Sequence, residues 1–377
     1  MQYRFDQIAF NSTAKKKPTD DDKEHYIGLE HLDSDCLSIT RWGSDVAPTG
    51  EKLLMKKGDI LFGKRRAYQR KVGIAPFDGI FSAHGMVLRP NEEVINKDFF
   101  PFFISSDQFM ERAVRISVGG LSPTINWKDL REQEFELPSL DKQLVLADKL
   151  WAAYRLKESY KKLLVATDEM VKSQFIEMFG NPLSDVQKYG LKKLGECCEL
   201  NPRRPRLNLE DSDMVSFVPM PSVSENGHLV DVADEEYGKV KKGFTYFENN
   251  DVLFAKITPC MENGKGTIAQ DLTNGIGMGS TEFHVLRPIN NISNAYWLLA
   301  LTRMPIFRER ASKNMSGTGG QKRVGAAFLE NFLVGLPPIG EQQAFEAIYK
   351  QADKSKFELR KSTEAIDRVI KSLINNV

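Results

Sequence analysis

The chain repeats itself, and that feature bounds what it can fold into. Gly58-Asp59-Ile60-Leu61-Phe62-Gly63-Lys64 returns as Asn250-Asp251-Val252-Leu253-Phe254-Ala255-Lys256, and Val87-Leu88-Arg89-Pro90 returns as Val285-Leu286-Arg287-Pro288. Gly119-Gly120 returns as Gly319-Gly320, and Leu137-Pro138 followed by Gln143 returns as Leu336-Pro337 followed by Gln342. The offset drifts only from 192 (Gly58 to Asn250) to 200 (Gly119 to Gly319). Matches that keep their order at a nearly constant offset mark a duplication, and such a repeat is read before any single element.

Each half has two parts. The first carries short β-type runs, such as Ile60-Leu61-Phe62 and Gly85-Met86-Val87-Leu88, punctuated by glycine and proline. The second is a long helix: 139–179 and 341–377 contain neither proline nor glycine. At ~1.5 Å per residue each would run for ~60 Å. Pro138, Ser139 and Asp141 punctuate the start of the first, and Gly180-Asn181-Pro182 its end; Pro337-Pro338 and Glu341 open the second. The expected fold class is α+β, with two pseudo-symmetric α/β domains (1–138 and 181–338) separated by two long, antiparallel coiled-coil helices (139–180 and 339–377).

Spacings of three and four predict a heptad seam on both helices. In the second it runs through Phe345, Ile348, Leu359, Ile366, Val369 and Leu373; in the first, through Leu146, Leu156, Tyr160, Leu163 and Met170. Two helices matched in length and placement are expected to pair with each other, which would fix the distance between the domains.

Composition removes several classes. No apolar run approaches the ~18 residues that span a bilayer, and the start, Met1-Gln2-Tyr3-Arg4-Phe5, does not read as a signal peptide. The cytoplasm is the expected compartment, and no membrane partner is expected. Cys36, Cys197, Cys198 and Cys260 lack zinc-ligand spacing and read as reduced and structural. The histidines His25, His31, His84, His228 and His284 form no metal motif, and His84 and His284 read as a structural pair. Asn263-Gly264-Lys265-Gly266-Thr267 lacks phosphate-loop spacing, and Asn181-Pro182-Leu183 and Asn201-Pro202-Arg203 lack the second proline of an adenine-methyltransferase tetrad. No catalytic site, metal or cofactor is expected.

A duplicated domain plus long helix, with Leu137-Pro138…Gln143 and Leu336-Pro337-Pro338…Glu341-Gln342 at the helix heads and Gly-Gly segments upstream, resembles the specificity subunit of type I restriction–modification systems. Leu191-Lys192-Lys193-Leu194-Gly195-Glu196 is similar to the opening of a second target-recognition domain in that family. Asp141-Lys142-Gln143 departs from the commoner Glu-Gln. The resemblance implies a non-catalytic subunit whose two domains each read half of a split double-stranded DNA target. It also implies helices that dock two methyltransferase (M) subunits, with restriction/translocase (R) subunits joining through the complex.

Net charge is only +1, so DNA contact would rest on local clusters. Lys64, Arg65, Arg66, Arg70 and Lys71 stand within ten residues, together with Tyr68 and Gln69. Cations neutralise phosphates, and Arg and Gln pair with base edges; a solvated hairpin is the plain alternative. The matching stretch in the second half is less basic, with Lys256 as its candidate contact. The glycine loops offer Arg115, Ser122 and Thr124 in the first half and Thr318, Gln321, Lys322 and Arg323 in the second, unless they are mere flexible connections. Arg203 and Arg204 are further candidates for the DNA backbone. A protein-binding adaptor with duplicated domains is the competing reading; it would not need these cations.

Overall fold

The computed structural model describes residues 1–180, 188–318 and 320–375. The Asn181-Pro182 helix stop and the Gly319 member of the second glycine pair lie outside the described residues. The chain divides into two compact units, Met1–Lys162 with Leu359–Val377, and Leu163–Glu358. Each therefore contains one globular region and part of both long helices, which span Leu140–Phe179 and Ile339–Asn375.

In the first unit a four-stranded antiparallel sheet runs in the order Ala9–Ser12, Met86–Pro90, Ile60–Phe62, Val72–Ile74. Its central strands are apolar over Ile60–Phe62 and 86–88, where both faces are covered. Ile60, Phe62 and Leu88 point into a core shared with short helices and both long-helix segments, while Leu61 and Val87 point into a second, smaller core. The smaller core is closed by a mixed sheet ordered Lys15–Lys16, Lys52–Met55, Gly79–Phe81, Tyr26–Ile27, its last pair parallel.

The second unit repeats the plan. Cys198–Leu200, Phe283–Pro288, Val252–Ala255 and Gly266–Ile268 form the sheet, with Val252, Phe254 and Leu286 on one face and Leu253, Ala255 and Val285 on the other. The mixed sheet has diverged. Its edge strand, Ala233–Glu236, flanks the parallel-paired strand Met214–Val218, whereas Lys15–Lys16 flanks the antiparallel one.

Two repeated motifs meet in space. Asp59 accepts from Arg89 Nε (2.7 Å) and Nη2 (2.8 Å), and Asp251 does the same from Arg287 (2.8 and 2.7 Å). Each aspartate also accepts from the amide three residues earlier, Lys56 and Glu248 (both 2.8 Å), so it shapes the turn before the central strand. Burial of the carboxylate is tolerable because hydrogen-bond donors surround it. Arg287 is held well above the ordinary arginine range, chiefly by its hydrogen bond to Asp251.

The Leu-Pro…Gln motif has an equally specific cause. Gln143 is fully buried; its Oε1 accepts from the Asn96 amide (2.7 Å), and its Nε2 donates to the carbonyls of Pro138 (2.9 Å) and Val94 (3.1 Å). Gln342 repeats the set with Asn294 (2.9 Å), Pro337 (2.8 Å) and Ile292 (3.0 Å). The amide ties the helix start to the loop before a neighbouring short helix.

The long helices run antiparallel within the second unit: Asp168 meets Lys356, and Phe175 and Phe179 meet Phe345 further back. In the first unit Lys157 meets Asp367. The seam differs in phase from the one expected. Phe345 is buried, and Leu146 and Leu373 pack half-buried on the first unit's main core, but Leu156, Leu163, Met170 and Val369 are 45%, 50%, 41% and 52% exposed. Tyr160, Ile348, Leu359 and Ile366 are half-buried. The buried stripe of the first helix lies one residue on, through Ala147, Leu150, Tyr154, Lys157, Val171 and Phe175. One residue is a ~100° rotation, and an apolar pattern skips this stripe because polar side chains occupy parts of it. Among the described residues no helix is long and apolar enough to cross a membrane.

Candidate nucleic-acid interface

The basic segment and the glycine loop of the first unit, separate in the sequence, are one structure. After the strand Ile60–Phe62 the chain enters a loop whose backbone zips to the returning segment 122–125. The Ile125 amide donates to the Lys64 carbonyl (3.0 Å), and the Arg66 amide to the Pro123 carbonyl (2.8 Å). Arg65 and Thr124 form a β-bridge between these bonds. Arg66 Nε donates to Ser122 Oγ (3.2 Å). Arg66 and Arg70 both adopt left-handed backbone (φ 57° and 52°) around the tight turn Ala67–Gln69, which turns Arg65, Arg66 and Tyr68 outward.

The second unit builds the same clamp from different side chains. Val324 donates to the Lys256 carbonyl (2.9 Å), Thr258 to the Lys322 carbonyl (3.0 Å), and Ile257 bridges Arg323. Thr258 Oγ1 adds two bonds, donating to the Gly320 carbonyl (2.6 Å) and accepting from the Lys322 amide (3.1 Å). The glycine loops are hairpin turns. At Gly317 (φ 129°) a Cβ would stand 2.5 Å from the Gln321 carbonyl oxygen, so the turn itself requires glycine.

The candidate cations separate into two groups. Arg65, Arg66, Arg115, Arg203 and Lys322 are exposed, as are Tyr68, Thr318 and Gln321. Gln69, Ser122, Thr124 and Lys256 are half-buried. Other cations serve the fold. Arg70 bridges Asp35 (2.7 Å) and Asp107 (2.9 Å) and donates to the Ser105 carbonyl, and Lys71 Nζ donates to the Leu29 carbonyl (2.6 Å). Arg323 forks onto Glu282, which holds that carboxyl below its usual range. Arg204 donates to the Lys241 carbonyl and sits over the Tyr237 ring. A charge run in a sequence does not reveal which cations already have partners.

Sequence reasoning does not single out Lys15. It lines, with Lys64, Asn11, Ser12, Thr13 and Asn126, a cleft of about 220 Å³ beside the first clamp. The Lys64 ammonium is pushed below its ordinary value, first by burial and then by the like charge of Lys15. The run Lys15-Lys16-Lys17 is the signal in the sequence, but it lies far from the basic segment. In the second unit a histidine stands at the register position of Met86. His284, opposite Phe254 as Met86 is opposite Phe62, is buried there between Asn201 (3.1 Å) and the Val324 carbonyl (2.8 Å). His84 lies exposed on a turn, so the expected pairing of His84 with His284 does not hold; Met86 is the counterpart.

Burial raises the Cys197 thiol to about 11 and the Cys198 thiol to about 12, so both stay protonated at neutral pH. Among the described residues no group of His, Cys, Asp and Glu is arranged to hold a metal ion.

Two globular regions of one plan, each with a two-loop clamp and each joined to long antiparallel helices, define a duplicated recognition architecture. The profile of the type I restriction modification DNA specificity domain matches twice, over residues 8–164 and 187–367, and the chain belongs to that family. It is 35% identical over 181 residues to the type I restriction enzyme EcoAI specificity subunit of Escherichia coli, covering 46% of this chain and 30% of that one. It is 39% identical over 153 residues to the EcoEI specificity subunit of the same organism, covering 40% and 25%. The matched segments thus span less than a third of those relatives' lengths. Among solved structures, one of type I R-M system complex assembly and conformational transition aligns with a TM-score of 0.56 at 17% identity, covering 99% of this chain and 96% of that chain. The S subunit from M. genitalium aligns at 0.54 and 15%, covering 99% and 95%. At these identities the likeness is one of fold.

Proposed function

We propose that this chain is a non-catalytic, cytoplasmic specificity subunit that reads a bipartite double-stranded DNA target. Each globular region reads one half-site through its two-loop clamp, and the paired helices hold the two readers apart at a fixed spacing. The single observation that carries this reading is the clamp itself, built twice on the same backbone bonds with different outward side chains: Arg65, Arg66 and Tyr68 in one, Thr318, Gln321 and Lys322 in the other. Arginines and lysines there neutralise phosphates; arginine and glutamine can also pair with guanine or adenine edges. Lys64 and Lys15 add a cationic cleft beside the first clamp.

The helices dock two methyltransferase subunits, and restriction subunits join through that complex. Partner docking is supported by a groove of about 480 Å³ along the helices of the second unit, lined by Thr167, Met170, Ile348, Ala352 and Ser355. Apolar helix surface left open in this way is what a partner would cover.

The test is charge reversal at Arg65→Glu and Arg66→Glu. DNA affinity should fall while assembly with the methyltransferase survives, and the log–log salt slope should flatten by about 0.9 for each phosphate that is no longer neutralised. Unchanged affinity would instead favour the adaptor reading.

A further inference from the structure

The helix seam buries two lysines where a coiled coil ordinarily places apolar side chains. Lys157 and Lys356 are only 8% and 2% exposed. Lys157 donates to Asp367 in the first unit. Lys356 donates to Asp168 (3.0 Å) in the second, with Asp353 at 2.8 Å on its own helix. Lys157 and Lys356 stand 199 residues apart in sequence, and so do Asp168 and Asp367. The same lysine–aspartate crossing therefore occurs once in each unit, with the roles of the two helices exchanged.

Such pairs act mainly on the alternatives. A purely aliphatic antiparallel seam tolerates sliding by a heptad, because one apolar knob replaces another. Sliding seven residues one way would set Lys157 against Ile374 and Lys356 against Phe175, leaving the Lys157 ammonium without its aspartate and Lys356 with only Asp353 of its own helix. Sliding the other way would set Lys157 against Arg360 and Lys356 against Lys161, like charge on like charge. Here the lysines are buried and their cross-helix aspartates are partly exposed, 41% for Asp367 and 36% for Asp168; such a pair contributes little net stability, whereas a buried ammonium moved away from its carboxylate is destabilising. The crossings thus discriminate among registers more than they stabilise the one adopted.

We propose that Lys157–Asp367 and Lys356–Asp168 form the register lock of the two long helices and are thereby positioning residues for the spacing between half-sites. The lock rests on the seam alone; its effect on spacing rests on the function proposed above.

The two parts separate experimentally. Spin labels carried by unnatural amino acids at the exposed positions Arg155 and Arg368 report the register of the full-length chain. The native chain gives one narrow distance distribution. Replacing all four lock residues by leucine adds a second population at longer distance, as a ~10 Å axial slide of one heptad requires. Lys157→Asp alone broadens the distribution, and adding Asp367→Lys restores the single distance, a rescue that a packing defect alone would not produce. A single native distance in the four-leucine chain, or in Lys157→Asp alone should the former not fold, overturns the lock. Co-expression with the methyltransferase partner reads the second part. A mixture of spacer lengths in the modified DNA supports it, and a shifted register with an unaltered spacer overturns the positioning role while leaving the lock intact.

Discussion

At the scale of the residue, the two halves use equivalent positions for different ends. Met86 lines a cleft in the first unit, whereas its counterpart His284 is held by Asn201 and the Val324 carbonyl in the second. Burial holds the His284 imidazole below its ordinary value of 6.5, so the folded state resists taking up a proton that the unfolded chain accepts readily. The stability from neutral His284 is fully present above about pH 6.5 and is lost as the pH falls through the lower folded value. Thermal melts across this range should show an acid-side loss of stability that shrinks in His284→Met. Gln143 allows a similar test. Truncation to Ala strands the Asn96 amide and two carbonyls, so urea unfolding should show a loss of about 2–3 kcal/mol. The sequence showed which residues recur but not what they hold. That Asp59 meets Arg89, or that Arg70 is spent on Asp35 and Asp107, depends on chain segments brought together by tertiary pairing.

At the scale of the element, helix lengths were legible because proline and glycine are absent from 140–179 and 341–375, Gly340 falling only in the first turn of the second helix, and the two-faced strands were legible as short continuous apolar runs. The phase of the seam was not. Apolar periodicity skips a stripe in which Gln143 and Lys157 are buried, and it selects a neighbouring face where Leu156 and Met170 stay exposed. The two clamp loops were each legible as candidates, but their union was not, since residues 64–66 and 123–125 meet only through the fold. If the helices set the spacing, inserting seven residues into the middle of both keeps the stripe in phase and lengthens the rod by ~10 Å. The preferred spacer, read by binding to a series of duplexes, should lengthen by roughly three base pairs at ~3.4 Å each, with both half-sites unchanged. Altered half-sites at constant spacing would contradict the ruler.

At the scale of the whole molecule, duplication lets one architecture present two unlike surfaces, which the proposed function assigns to two half-sites. The backbone bonds of the clamp are kept, so geometry is inherited, while the outward side chains are free to differ. Lys64 and its neighbours make the first clamp the more cationic, and Arg323 in the second is tied to Glu282. Charge reversal at Arg65 and Arg66 should therefore weaken binding across sequences more than Lys322→Glu does, measured by titration at two salt concentrations. The proposed function requires that this chain alone choose the DNA sequence. The most direct measurement is a single-molecule methylome of cells expressing the chain together with its neighbouring methyltransferase. The account predicts a split motif with modified adenines in both halves that vanishes when the chain is omitted; a methylome that is empty, or identical without the chain, would contradict it.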